Sequence, residues 1–186
     1  MKLLQMYEID FSDKKLSSLT SFTDQGKMNH YLNILKEYDV WIVSEAGTPW
    51  LSDPWKSLIQ LCNEQKLPYT ILPWANALVP AVVGAGFDTS SFIYIWFIPQ
   101  KKGRQTALKN AIKSEIPVFF YESVHRVEKL FRELEELWFD GKINMSREIS
   151  KMFEQQVTWT LEEINQMIKE KQISIKWEFV IWLCSS

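Results

Sequence analysis

The chain has 186 residues, 46% hydrophobic and 24% charged, and its formal net charge is −2. That length suits one large or two small domains, and no apolar run reaches the roughly 18 residues that a membrane span needs. Cys62 and Cys184 are too few and too far apart for a disulfide framework or a metal site, acidic residues interrupt the start where a signal peptide would be apolar, and the expected setting is the reducing cytoplasm, with both thiols buried.

In chain order, residues 24–37 read as a helix, with Asp24 as N-cap and Met28, Tyr31, Leu32 and Leu35 on one face. An apolar run at 40–43 reads as a buried strand, 56–65 as a helix, 69–72 as a second strand and 77–84 as a short helix. Two strand-loop-helix units in succession predict a parallel sheet with right-handed crossovers. The polar, turn-rich stretch Gly86-Phe87-Asp88-Thr89-Ser90-Ser91 marks a boundary. The expected domains are therefore an incomplete amino-terminal α/β lobe, 1–88, and a carboxyl-terminal α/β lobe, 89–186. In the second lobe, strands are predicted at 92–98, 118–121, 143–147, 153–158 and 178–183. Helices are predicted at 104–114, 124–137 and 161–169. Charge is uneven between the lobes. Residues 1–88 carry 7 basic and 10 acidic side chains, and residues 89–186 carry 14 and 13. A polyanion site is thus expected as a local patch in the second half.

Tryptophan usage is anomalous. The chain has 9 tryptophans and 6 glycines, against about 13 glycines at average usage. Trp50, Trp55 and Trp74 each follow a proline where a turn favours a residue with positive φ. Trp138 ends a helical run where glycine commonly forms a left-handed cap. One reading unites these positions: the source reads UGA as glycine, and the codon is rendered here as tryptophan. The competing reading is a chain simply rich in tryptophan anchors.

The segment Ser44-Glu45-Ala46-Gly47-Thr48-Pro49, continuing to Ser52-Asp53-Pro54, follows the strand at 40–43 and opens into the helix at 56–65. Small residues, hydroxyls and a carboxylate at the carboxyl end of a strand are what a ligand loop of an open α/β sheet needs. Similar loops follow the strands at 69–72 and 92–98, namely Pro73-Trp74-Ala75-Asn76-Ala77 and Phe97-Ile98-Pro99 running into Lys101-Lys102-Gly103-Arg104. Further motifs are Phe120-Tyr121-Glu122-Ser123-Val124-His125-Arg126, Arg147-Glu148-Ile149-Ser150-Lys151 and Lys176-Trp177-Glu178-Phe179-Val180. No Gly-x-Gly-x-x-Gly stands after a strand, so the common dinucleotide fingerprint is absent.

In order and spacing these motifs cover nearly the whole chain. Through them it resembles the tetrapyrrole methylase-like, S-adenosylmethionine-dependent methyltransferases, and within them the branch that methylates a cytidine ribose 2′-hydroxyl in small-subunit ribosomal RNA. The resemblance implies a two-lobed α/β fold with a parallel-sheet first lobe and a mixed-sheet second lobe. It also implies S-adenosylmethionine in a cleft between the lobes, small-subunit ribosomal RNA or the assembled subunit as partner, and a homodimer without membrane attachment. The family pattern has glycine where Trp50, Trp55, Trp74, Trp96, Trp159 and Trp177 stand. It has Pro-Ser in place of Ala75-Asn76, and proline in place of Val124. The family's opening strand, its Pro-Thr-Pro-x-Gly-Asn loop and a following acidic-Thr-Arg motif have no counterpart here, so part of the family's cofactor cleft is expected to be missing.

The resemblance places the cofactor against Ser44, Glu45, Ala46, Gly47, Thr48 and Pro49, against Pro73, Trp74, Ala75, Asn76 and Ala77, and against Phe97 and Pro99. Small residues there let backbone groups approach a ligand closely. Methyl transfer to a ribose hydroxyl gains from positioning and from a proton acceptor. Glu45, Glu122, His125 and Glu148 are the candidates for that acceptor, with no choice among them. Lys101, Lys102, Arg104, Arg126, Arg147 and Lys151 are the basic residues inside matched motifs. Phosphate contact is their functional reading, against that of a solvated charged face. A tetrapyrrole-methylating enzyme of the same fold and a non-catalytic RNA- or partner-binding remnant are the competing functions.

Overall fold

The computed structural model describes residues 2–18, 23–43 and 56–185. They divide into two units, Met1–Trp74 and Ala75–Ser186.

Among the described residues of the first unit three helices form, α1 (Lys2–Met6), α2 (Gln25–Glu37) and α3 (Lys56–Glu64). Asp24 caps α2, its Oδ1 accepting from the Lys27 amide at 2.8 Å, which satisfies one of the orphan donors of a helix start. Met28 and Leu32 of α2 are buried, as are Leu58 and Cys62 of α3. Met28, Leu58 and Cys62 form a small apolar cluster, and burial pushes the Cys62 thiol up from its ordinary pKa. The two strands expected at 40–43 and 69–72 do not form: among the described residues neither stretch has a ladder partner. Trp41 is 80% exposed, and Val43, Ile71 and Leu72 are also exposed. An apolar run becomes a buried strand only when a neighbour supplies hydrogen bonds and a facing layer. The parallel sheet expected of the first lobe is therefore not present among the described residues.

The second unit holds a five-stranded mixed sheet. Its strands are β1 (Ile93–Phe97), β2 (Val118–Glu122), β3 (Lys142–Arg147), β4 (Gln155–Thr160) and β5 (Phe179–Cys184), in the order β1-β2-β5-β3-β4. β1 and β2 are parallel; β5 lies antiparallel between β2 and β3, and β4 is antiparallel to β3. Alternation assigns the faces. Val118, Phe120, Ile143, Met145, Ile181 and Leu183 pack with Leu108 of α5 (Arg104–Ile112), with Val127, Leu130 and Leu134 of α6 (Val124–Glu136), and with Ile164 of α7 (Leu161–Lys169). The α6 residues repeat at helical spacing and make one buried stripe. Thr160 opens α7 with a capping box closed by Glu163.

Phe119, Val180 and Trp182 point to the other face, where Ala81 of α4 (Leu78–Val83) and Ala85 cover them. Gln156 Nε2 also donates to the Ala81 carbonyl at 3.2 Å. Residues 75–88 thus pack with the second unit, although the polar stretch at 86–91 predicts that they close the first lobe. The apolar face of α4 decides this, because it buries itself on the sheet. Gly141 is required where it stands: a Cβ there would lie 2.1 Å from the Cys184 carbonyl oxygen.

The tryptophans separate by backbone. Trp138 has φ +56° and Trp177 φ +70°, a region in which a bulky residue is strained. Trp138 follows α6 in a Schellman turn, in which its amide reaches the Glu135 carbonyl at 3.0 Å and the Phe139 amide reaches that of Leu134 at 3.0 Å. Glu8, Lys66 and Lys171 take the same left-handed place after α1, α3 and α7, so the cap does not by itself demand glycine. Trp96 and Trp159 sit in β1 and β4 with no such backbone requirement. Trp182 is 2% exposed, with ring centroids 4.2 Å from Phe87 and 6.2 Å from Phe119.

Candidate functional site

Because β1, β2 and β3 run the same way, their carboxyl ends gather at one edge of the sheet, and β5 begins there. A cavity of about 530 Å³ opens at that edge, within the size range of small-molecule sites. It is lined by Tyr121, Ser123, Val124 and His125 after β2, by Ser146, Arg147, Glu148 and Lys151 at the end of β3, by Trp177 to Val180 entering β5, and by Ala77 before α4. Motifs read far apart in the sequence thus meet in the second unit. The segment Ser44 to Pro49, with Glu45, lies outside the described residues. Pro73 and Trp74 end the first unit, and Ala75, Asn76 and Ala77 begin the second. Asn76 Oδ1 accepts from the Val79 amide at 3.0 Å.

Behind the cavity lies a buried ionic network. Glu122 ends β2 with no exposure at all. Its Oε1 accepts from Arg126 Nε at 2.6 Å and from the Ser123 amide at 2.9 Å, and Arg104 Nη1 stands 3.6 Å from its Oε2, an ionic contact beyond hydrogen-bond length. Arg104 Nε donates to both carboxylate oxygens of Glu133, at 3.0 and 2.7 Å. Arg104 Nη1 donates to the Pro99 carbonyl at 3.3 Å, which ties the loop after β1 to α5 and α6. The Arg126 guanidinium also stands over the Phe97 ring at 5.4 Å.

This corrects two sequence expectations. Arg104 is 3% exposed and committed to Glu133, so it is not a surface phosphate ligand. Glu122 is sealed from the cavity and ion-paired, so it is not a proton acceptor for a substrate. Lys101 and Lys102 are exposed beside them, and no described carboxylate lies within ion-pair distance of either. Lys151 pairs with Glu148 at 2.8 Å and stands over the Trp177 ring at 5.9 Å. His125 is exposed at the cavity. Tyr121, Ser123, Ser146 and Glu178 line the cavity although their motifs assign them no role. The strand alternation that places Tyr121 and Ser146 on the α4 face is the signal that could have found them. Burial, aided by the Glu178 charge, raises the Tyr121 phenol above its ordinary pKa, so it remains a hydrogen-bond donor at neutral pH.

The family model for tetrapyrrole (corrin/porphyrin) methylases matches residues 11–165. The chain belongs to the tetrapyrrole methylase family. It is 33% identical to "Ribosomal RNA small subunit methyltransferase I" of Thermotoga maritima over 83% of the chain and 69% of that protein. The protein of the same name from Leptospira biflexa is 35% identical over 83% of the chain and 60% of its own length. That from Micromonospora olivasterospora is 28% identical over the whole chain and 58% of its own length. The chain thus spans roughly three-fifths to two-thirds of these relatives. Among solved structures, the methyltransferase CobJ superposes with a TM-score of 0.61 at 17% identity, covering 92% of this chain and 75% of that one. Diphthine synthase superposes with 0.60 at 14% identity, covering 88% and 68%. At such identities the likeness shows the fold alone.

Proposed function

We propose that this family member transfers a methyl group from S-adenosylmethionine to the ribose 2′-hydroxyl of a cytidine in small-subunit ribosomal RNA. The observation that carries the proposal is the identity, at 28–35% over most of the chain, to relatives named for that RNA. A uroporphyrin-III C-methyltransferase of the same fold is complexed with S-adenosylhomocysteine, which supports the choice of donor. When bound, the donor supplies an electrophilic methyl carbon on its sulfonium. The cavity's size and its mixed lining of hydroxyls, charges and aromatic rings, with Ala77 among them, suit such a ligand, and the Pro99 loop is a further proposed contact.

The chain's own task is to orient the hydroxyl for in-line attack and to accept its proton as the carbon–oxygen bond forms and the carbon–sulfur bond breaks. Geometry narrows the acceptor. Glu122 is sealed in its network, Glu148 is paired with Lys151, and Glu45 lies outside the described residues. His125 is exposed at the cavity, and we assign it the proton. Replacing His125 with alanine should lower kcat by about 10²–10⁴-fold while leaving donor affinity within about twofold by calorimetry. A fall in donor affinity with unchanged kcat would remove the assignment.

The function is tested by incubating the protein with tritiated donor and unmethylated small subunits or their RNA. Label is expected on a ribose. Label on a base, or only on a porphyrinoid, would overturn the proposal. Donor binding without transfer to any of these would mark a non-catalytic binding protein.

Lys101 and Lys102 are the proposed phosphate ligands outside the cavity. Changing both to alanine should weaken RNA binding and reduce the slope of log K against log[salt] by about 0.7 for each phosphate no longer neutralised, the single-strand value. An unchanged slope would make them solvated surface charges.

A further inference from the structure

We infer that the cavity contains a dedicated oxyanion subsite, formed by the Arg147 guanidinium, the Ser123 hydroxyl and the free amides at the start of α6, and that it takes a carboxylate or phosphodiester of the reacting molecules. The inference rests on the methyltransferase reading for the identity of that molecule, but not for the subsite itself.

Arg147 closes β3 and is 8% exposed. Its Nε donates to Gln155 Oε1 at 2.7 Å, and Gln155 Nε2 is itself held by the Gln172 carbonyl at 3.0 Å. That anchor fixes the plane of the guanidinium. Its two Nη groups have no hydrogen-bond or ion-pair partner among the described residues. The other guanidinium groups around this sheet edge are matched: Arg104 has Glu133 and Arg126 has Glu122. Glu148 and Glu178 also line the cavity, yet Glu148 is spent on Lys151 and neither lies within ion-pair distance of Arg147. The Nη groups are not among the buried unpartnered atoms, so they face the open cavity that Arg147 lines, where an anion can reach them.

Two further observations concern residues of the same cavity wall. Ser123 precedes α6 but does not cap it, and its Oγ is buried without a hydrogen-bond partner. The Val124 and His125 amides belong to the first turn of a 13-residue helix, where no intrahelical carbonyl reaches them. All three residues line the cavity with Arg147. A forked guanidinium, a hydroxyl and the positive end of a helix are what a bidentate oxyanion requires. Two such groups exist in the proposed reaction: the amino-acid carboxylate of the donor and a phosphodiester beside the target ribose.

The test is an NMR titration of the whole chain with inorganic phosphate, observing Arg147 Nε and the amides of Val124 and His125. These three signals should move together and saturate with one Kd. Arg147→Gln should abolish the saturable shift. Arg147→Lys, which keeps the charge but loses the fork, should weaken it about tenfold, and Ser123→Ala should weaken it several-fold with Arg147 intact. Arg132→Gln, a surface change on α6, should leave the titration as in the parent. S-adenosylhomocysteine displacing phosphate identifies the donor carboxylate as occupant, and a cytidine-containing dinucleotide displacing it in the presence of S-adenosylhomocysteine identifies the RNA phosphodiester. Absence of a saturable shift in the parent protein, or an equal shift in Arg147→Gln, overturns the subsite even if methyl transfer is observed. A saturable shift without methyl transfer would leave the subsite and remove the methyltransferase reading.

Discussion

Replacing Glu133 with alanine is expected to destabilise the protein by about 3–5 kcal/mol. The change strips Arg104 of the carboxylate that accepts from its Nε at 2.7 and 3.0 Å and leaves the guanidinium with the 3.6 Å approach to Glu122. Arg104 and Glu122 are both closed to water, so solvent cannot stand in for the missing carboxylate. The magnitude reports an uncompensated charge, not the net worth of the pair. Accordingly, the double variant Arg104→Met with Glu133→Leu should recover most of that stability, since a buried ion pair exchanged for apolar groups of similar volume is often neutral or better. Glu122 keeps Arg126 in that background. Urea unfolding of Arg104→Met, of Glu133→Leu and of the double variant gives the coupling. Additive destabilisation, with no recovery in the double variant, would show that the network does not act as a unit.

The tryptophans are expected to respond in opposite directions. Trp182→Ala should cost about 3–5 kcal/mol, the range for removing a large aromatic from a core, because Trp182 fills the space between Phe87 and Phe119 under α4. Trp138→Gly and Trp177→Gly should each raise stability by about 1 kcal/mol. A left-handed conformation costs a residue with a Cβ roughly 1–2 kcal/mol, and the added freedom of glycine in the unfolded chain offsets part of that gain. Trp138 is 89% exposed and Trp177 62%, so little packing is sacrificed at either position. Thermal unfolding of the three variants against the parent decides the matter. If both glycine variants melt lower, the tryptophans belong where they stand, and the reading of UGA as glycine loses its structural support at these positions. The extended backbones of Trp96 and Trp159 make no comparable demand, so these positions are silent on it.

Much of the second unit was legible in the sequence. The apolar stripe of α6, Val127, Leu130, Phe131 and Leu134, recurs at a helical period. The continuous apolar runs of β2 and β5 mark strands within one or two residues of their observed ends. These patterns are local: a helix buried on one face shows a stripe, and a strand covered on both faces shows an unbroken apolar run. The left-handed place of Trp138 was also visible, because a helix end sets its own geometry. The motif order, likewise read from the chain alone, carried the family.

What lay beyond the sequence is non-local. The runs at 40–43 and 69–72 carry strand composition, but a ladder needs a partner that composition does not specify. Helix α4 reads as the end of one lobe and packs with the other, because the sheet face bearing Phe119 and Trp182 offers it an apolar surface. Arg104 and Arg147 look alike in sequence, each a basic residue in a matched motif. Only the packing separates them: α5 and α6 bring Glu133 to Arg104, whereas the end of β3 leaves Arg147 at a cavity with Gln155 alone. Periodicity along a chain fixes which face a side chain takes, but the partner of a buried charge is set by which elements fold against it.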